Sequence, residues 1–406
     1  MCSESDRNSF RFTDYDVIGF DFDNTIAEYK LTNLFHIHHS FLINYLIEHK
    51  GYDGISTELS SEYIDIIRKG LFIDIERGNI LSICDNGKII QASHGTRKLE
   101  TNEIISTYGL EMHWYATDQF LNDKLITVNS DVIYSFNDFT DISALPVYTK
   151  AIDFVDQTKL YSYRTVWSHL LEAIQNMYKP DSNFIITVGS NLNDYINKCD
   201  EELMQWLVNL NRKCKLIIIT SAQPETFKPV VNHCLGNIWK TLFHTIIDKA
   251  NKPKFFIERN SFIDSKTNEK LLLNTSAGYY SCGNWYEFYE KFSEELGRPA
   301  KCLYIGDNVL HDIYGPSATY GGHSLDTVAI AEECLAEGIF PGQHAHGQYI
   351  RSDFWGSYFW HPNGTRTVMG DIIMRNSKLC VPSLKYFIDK PLNHQYTPFW
   401  ISKPHL

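Results

Sequence analysis

The sequence predicts an α/β fold built on a parallel sheet, with a large cap inserted after the first strand. Three observations carry that reading. From about residue 200, short β-rich runs alternate with amphipathic helical stretches, as βαβ units require. Far upstream, the apolar run "YDVIGF" ending at Phe20 reads as one buried strand standing alone. The long stretch between them carries helix and hairpin patterns of its own. The expected division is therefore a core over 14–32 and 186–335, a cap over 33–185, and a C-terminal extension over 336–406 packed on the core.

After Lys30 the period changes from strand to helix. In "TNLFHIHHSFLINYLIEHKG", Leu34, Ile37, Phe41, Tyr45 and Leu46 recur at helical spacing, and Gly51 offers a C-cap. His36, His38 and His39 read as helix-surface residues, because partner ligands at metal spacing are missing. "NILSICDNGKIIQAS" predicts a hairpin turning at Asn86-Gly87, a favourable type I′ pair. "RTVWSHLLEAIQNMY" puts Val166, Leu170, Ile174 and Met177 on one helical stripe. Helix "EELMQWLVNLN" then feeds strand "KLIIIT", and "HTIID" follows. Helix "NWYEFYEKFSEELG" feeds "CLYIGD", and "DTVAIA" closes the series. The tail beyond Gly338 is aromatic and rich in Gly and Pro, with no domain pattern of its own.

Composition limits the function. A hydrophobic content of 43% fits a compact chain rather than a disordered one. A net charge of -12 argues against a nucleic-acid polymer as partner, which would need a basic face. It allows a small phosphorylated substrate, since one metal ion and one lysine reverse the local field. No window reaches the roughly eighteen apolar residues of a membrane span. The start "MCSESDRNSF" lacks a signal-peptide core. Nine cysteines without a C-x-x-C pair fit reduced thiols in the cytoplasm. The sequons at Asn274 and Asn363 then carry no glycan. Assembly as a homo-oligomer stays open.

Ligands of an open parallel sheet bind beyond the carboxyl ends of its strands. Four polar signals sit there. Asp21 and Asp23 follow "VIGF", Thr220 and Ser221 follow "LIII", Lys252 lies just past "HTIID", and Asp307 follows "LYIG" with Asp312 five residues on. Several carboxylates in one crevice call for a hard cation such as Mg²⁺, which prefers oxygen ligands. One aspartate is then available to attack phosphorus, while a lysine and a hydroxyl meet the phosphoryl oxygens.

This ordered set, D-x-D-x-T, hydroxyl, lysine, G-D-x-x-x-x-D, resembles the haloacid dehalogenase superfamily. "GFDFDNTIAEYK", "RGNILSICDNGKIIQASHG", "NKPKFF" and "LYIGDNVLHDI" are similar to the cytosolic purine 5′-nucleotidase group. "KGYD", "ASHGT", "FWGSYF" and "VPSL…PL" further resemble its type 1 5′-nucleotidase domain-containing branch. The resemblance implies a Rossmann-like core with a cap and a Mg²⁺-dependent phosphatase of the 5′-nucleotidase type. It implies Asp21 as nucleophile and Asp23 as general acid and base. Mg²⁺ would be held by Asp21, the Asp23 carbonyl and Asp307, with Asp312 supporting. Thr220 and Lys252 would grip the phosphoryl group, and Ser221 would line the same pocket. Two other readings stand beside it: a binding or scaffold protein retaining the fold, and a phosphotransferase to a nucleoside acceptor. The purine enzymes carry an Arg and an Asp, four residues apart, on the helix that meets the nucleotide; here those places hold Leu171 and Gln175.

Overall fold

The computed structural model describes residues 9–59, 65–125, 130–139, 141–264, 267–319, 325–336 and 351–397. The first eight residues of the polar N-terminus, and much of the tail just beyond Gly338, lie outside that set. The described residues fall into two compact units. One takes the chain up to Tyr29, Asn191–Cys334 and the residues from Ile372 on; the other takes Lys30–Ser190 and Leu335–Asp371.

The first unit opens with β1 (Val17–Phe20). The second unit then supplies α1 (Leu31–Lys50), β2 (Leu71–Asp74), β3 (Asn79–Ile83) and β4 (Ile89–His94). It continues with β5 (Arg97–Lys98), β6 (Ile133–Phe136), α2 (Ala144–Thr158) and α3 (Tyr163–Met177). Back in the first unit come α4 (Glu201–Asn211), β7 (Lys215–Ile219), α5 (Pro224–Leu235) and β8 (Thr245–Asp248). After them run β9 (Phe262–Ile263), β10 (Lys270–Leu271), β11 (Gly278–Cys282) and α6 (Trp285–Leu296). The series closes on β12 (Cys302–Gly306) and β13 (Leu325–Ile330). A short pair, β14 (Arg351–Ser352) and β15 (Gly356–Ser357), belongs to the second unit, and β16 (Leu379–Val381) to the first.

The large sheet runs β10-β9-β11-β8-β7-β1-β12-β13-β16. From β11 to β16 every neighbouring pair is parallel; β9 and β10 are antiparallel additions at one edge. The order of succession reverses at β1. That makes it the topological switch point, where a doubly wound sheet opens a crevice beyond its strand ends. The fold is the α/β class expected, with a parallel sheet. Ile217, Ile219, Ile247, Tyr304 and Phe256 pack in one buried cluster beside it. Such near-continuous apolar runs are what strands covered on both faces require.

The C-terminal segment carries structure that its sequence conceals. β16 extends the parallel sheet beside β13, and Phe387 stacks on Trp206 of α4 with ring centroids 6.0 Å apart. β11, with its tyrosines and serine, adds another parallel strand beside β8.

The second unit is built on an antiparallel sheet, β5-β4-β3-β2-β6. The β3–β4 hairpin is there, but its turn is not type I′. Gly87 takes a left-handed φ of 86° and its N–H meets the Cys84 carbonyl at 2.9 Å, while Cys84 N–H bonds Lys88 O at 3.0 Å. A three-residue loop with glycine in the left-handed position replaces the two-residue turn.

α1 ends as expected at Gly51, with φ of 71° and its N–H on the Leu46 carbonyl. The surface reading of its histidines holds for His36 alone. His38 and His39 are buried among Leu34, Phe35, Leu42, Ile43 and Leu46, at the i+3 and i+4 spacing of the packed face. Lys150 Nζ lies 3.5 Å from His39 Nε2, and Ser143 Oγ lies 3.4 Å from His38 Nδ1.

Burial gives this unit an acid limit. His361, 2% exposed, is lowered to about 3 by burial, with the Arg68 guanidinium adding to it. His39 is lowered to about 4, again first by burial. Each folded value lies below the ordinary 6.5, so the fold favours the neutral rings. The stability they contribute is complete above about pH 6.5 and is lost as pH falls toward the folded values. Each histidine contributes a slope of about 1.4 kcal/mol per pH unit. Thermal unfolding from pH 7.5 to 4.5 is expected to show a steep acid limb, and His361→Asn to remove about half of it. An unchanged slope in that variant would assign the limb to other groups.

Candidate active site

β1, β7 and β12 are neighbours in the sheet, so whatever follows their carboxyl ends is brought together. Asp21 comes directly after β1, and its N–H continues the ladder onto Ile305 O at 2.8 Å. Thr220 follows β7, Asp307 follows β12, and Lys252 stands on the turn after β8. Asp21, Lys252, Asp307 and Asp312 are all at least nine-tenths buried.

Lys252 is the hub. Its Nζ lies 2.7 Å from Asp21 Oδ1, 2.7 Å from Asp312 Oδ1 and 3.2 Å from the Tyr304 hydroxyl. Asp21, Asp307 and Asp312 each offer a carboxylate oxygen within 4.8 Å of the others. Asp312 is held by its other oxygen, which accepts the Asn308 N–H at 3.1 Å. Asn308 in turn caps the helical turn that follows, accepting the Leu310 and His311 N–H groups at 3.1 Å each. Gly306 makes the approach feasible: a Cβ there would stand 2.5 Å from Asp312 Cβ.

The other expected residues have different surroundings. Asp23 is half-buried, and its Oδ1 accepts the Tyr29 hydroxyl at 2.6 Å. Thr220 is buried, with Oγ1 accepting Ala222 N–H at 3.1 Å. Ser221 is exposed, and its Oγ accepts the Lys252 backbone N–H at 2.9 Å, fixing the turn that carries the lysine. Leu171 and Gln175 are exposed positions on α3.

Charge is unbalanced here. Three carboxylates face one ammonium. Burial pushes the Asp21 carboxyl up; Lys252 opposes that, and Asp312 and Asp23 add to the rise. Burial alone would lower Lys252, but Asp21 and Asp312 outweigh it and raise its ammonium above the ordinary value. Asp21 holds its proton more tightly chiefly because it is buried, and Lys252 because two carboxylates face it.

With this geometry in view, the comparisons are specific. The model of the 5′ nucleotidase family matches residues 7–337. The chain belongs to that family. Membership makes it a phosphoric monoester hydrolase, and the resemblance read from the motifs holds. Human 5′-nucleotidase domain-containing protein 1 is 27% identical, over 95% of this chain and 92% of its own. Human 5′-nucleotidase domain-containing protein 2 is 23% identical, over 75% of this chain and 59% of its own. A solved Bacillus subtilis HAD-hydrolase bound to magnesium aligns at 12% identity and a TM-score of 0.27, over 78% of this chain and 89% of that one. At that distance the fold is read from the strand order above.

Sequence patterns single out carboxylates and lysines, and so pass over three groups that touch the candidate residues: Tyr29, Tyr304 and Asn308. Strand alternation was the available signal for Tyr304, two residues before Gly306 on β12. For Asn308, the signal was an Asn just ahead of a helical turn. Tyr29 offered none, because nothing in "AEYK" says that the chain turns back toward Asp23.

Proposed function

We propose that the protein hydrolyses a nucleoside 5′-monophosphate or a related phosphomonoester, with Mg²⁺ bound, through an aspartyl-phosphate on Asp21. The observation that carries this is the buried cluster at the switch point, with three carboxylates to one lysine. Its donors are hard oxygens and its excess charge is negative, which fits a divalent cation such as Mg²⁺. Asp21, the Asp23 carbonyl and Asp307 would hold it. Asp312 would support them, since both its oxygens already serve Lys252 and the Asn308 N–H. Bound there, the ion would neutralise charge on the phosphoryl oxygens.

The residues then divide the work. An Asp21 oxygen attacks phosphorus, forming the acyl phosphate as the bond to the ester oxygen breaks. Asp23, protonated, gives its proton to that leaving oxygen. As a carboxylate it then takes a proton from water, which attacks phosphorus, releases orthophosphate and restores Asp21. Tyr29 orients Asp23 by donating its hydroxyl to one carboxylate oxygen. Lys252 and Thr220 meet the phosphoryl oxygens, and Ser221 holds the turn beneath them.

The expected specificity follows from the resemblance, which sets Leu171 and Gln175 at the places of the purine enzymes' Arg and Asp. Neither supplies the charge that the purine enzymes place there, and losing a charged hydrogen bond costs about 1.5–3 kcal/mol. IMP and GMP should therefore be poor substrates. The eight described cysteines form no disulfide, and no helix among the described residues is long and apolar enough to cross a membrane. Both fit our placing the enzyme in the cytoplasm.

The test is a phosphate-release screen across nucleotides, sugar phosphates and an aryl phosphate, with Mg²⁺ and then with chelator. Release should require Mg²⁺, with IMP no better than the rest. Full activity in chelator would refute the metal assignment. Repeating the screen with added nucleoside separates hydrolysis from phosphotransfer.

A further inference from the structure

Lys252 has three N–H bonds, and all three are already taken, by Asp21, Asp312 and Tyr304. To grip a phosphoryl oxygen it must release one. Which one is decided by burial. Asp312 and Tyr304 are fully buried, while Asp21 retains 8% exposure at the strand end where a substrate can arrive.

We propose that Tyr304 is a positioning residue for this reaction. With Asp312 it pins two N–H bonds of Lys252, so that the third points at Asp21 and passes to the phosphoryl oxygen as Asp21 attacks. The proposal rests on the reading above that Lys252 binds the transferring phosphoryl group.

The tyrosine is built for that duty. Its own proton is committed to Ile219 O at 3.0 Å, so the oxygen's lone pairs are left for the ammonium. Its ring lies over Gly19 of β1, where a Cβ would meet Tyr304 Cδ2 at 2.7 Å. Phe256 packs on it with ring centroids 5.1 Å apart. A ring held by packing fixes the hydroxyl, and the hydroxyl fixes the ammonium. Burial, with Asp312 and Asp21, holds the phenol well above its ordinary value, so it stays protonated.

Tyr304→Phe keeps the ring and removes only the hydroxyl. In an enzyme that turns over with Mg²⁺, kcat is expected to fall about tenfold while KM stays within about twofold, because aim is lost and charge is not. In a Lys252→Met background the same change should alter the residual rate less than about twofold, since Tyr304 acts through that lysine. A melting temperature close to that of the parent would exclude general unfolding as the cause. A kcat within about twofold of wild type, a rise in KM at constant kcat, or additive losses in the double variant would each overturn the proposal. Absence of turnover in the wild-type protein would instead sink the functional reading itself.

Discussion

Asp21→Asn is expected to remove turnover while leaving the fold at least as stable as before. The amide keeps the size and one acceptor oxygen for Lys252, but it cannot form an acyl phosphate. Removing a catalytic nucleophile costs on the order of 10⁴ or more in kcat, which corresponds to a barrier about 5 kcal/mol higher. Stability runs the other way. Burial already disfavours the charged form of Asp21, and Asp312 and Asp23 repel it, so a neutral side chain relieves the site. Phosphate release and thermal unfolding, measured in chelator on one preparation, test both halves. Turnover at the wild-type level would eliminate the covalent route.

Lys252→Met should be as damaging to activity and, unlike Asp21→Asn, costly to the fold. It removes the ammonium that Asp21 and Asp312 share in a buried place. Breaking a buried ion pair by deleting one partner costs about 3–5 kcal/mol, because a charge is left uncompensated. The sign with pH is set by the carboxylate left behind. Burial raises Asp21 to about 8 even with the lysine present, and losing the counter-charge raises it further, so below that value the carboxyl is neutral in both folded proteins. The charge part of the deficit opens as pH rises through about 8. The gap between wild-type and variant melting temperatures should widen from about pH 7 to about pH 9.5 in chelator. A gap that does not change with pH would mean lost packing rather than lost charge. Lys252→Arg should not rescue, because a planar guanidinium cannot serve three converging acceptors as an ammonium does.

Much of the parallel sheet was legible because buried strands advertise themselves. "VIGF", "KLIII" and "CLYIG" are apolar and bounded by polar residues, and the side chains after them follow from chain direction alone. β11 was not legible, because its serine and tyrosines are bound through their hydroxyls: Ser281 and Tyr279 both donate to Asp248, at 2.5 and 2.6 Å. β16 was too short, at three residues, to show any period. The buried pair His38 and His39 was misread because histidine type outweighed helical position. At the site, motif spacing found the carboxylates and the lysine. The hydroxyls that orient them are specified by three-dimensional approach, such as the bare face of Gly19 under the Tyr304 ring, which no linear pattern displays.

The central place of β1 bears on how the chain is made. It pairs Val17 with Lys215 on one side and with Cys302 on the other, so neither edge has its neighbour while the intervening chain is being synthesised. Contacts of such separation form slowly, and an unpaired apolar strand is the kind of surface that nascent chains misassociate through. Polypeptides truncated before Cys302 should engage chaperones and aggregate, because β1 still has one open edge. Asp21 thus leaves the ribosome long before Cys302, whose strand completes the pairing of β1.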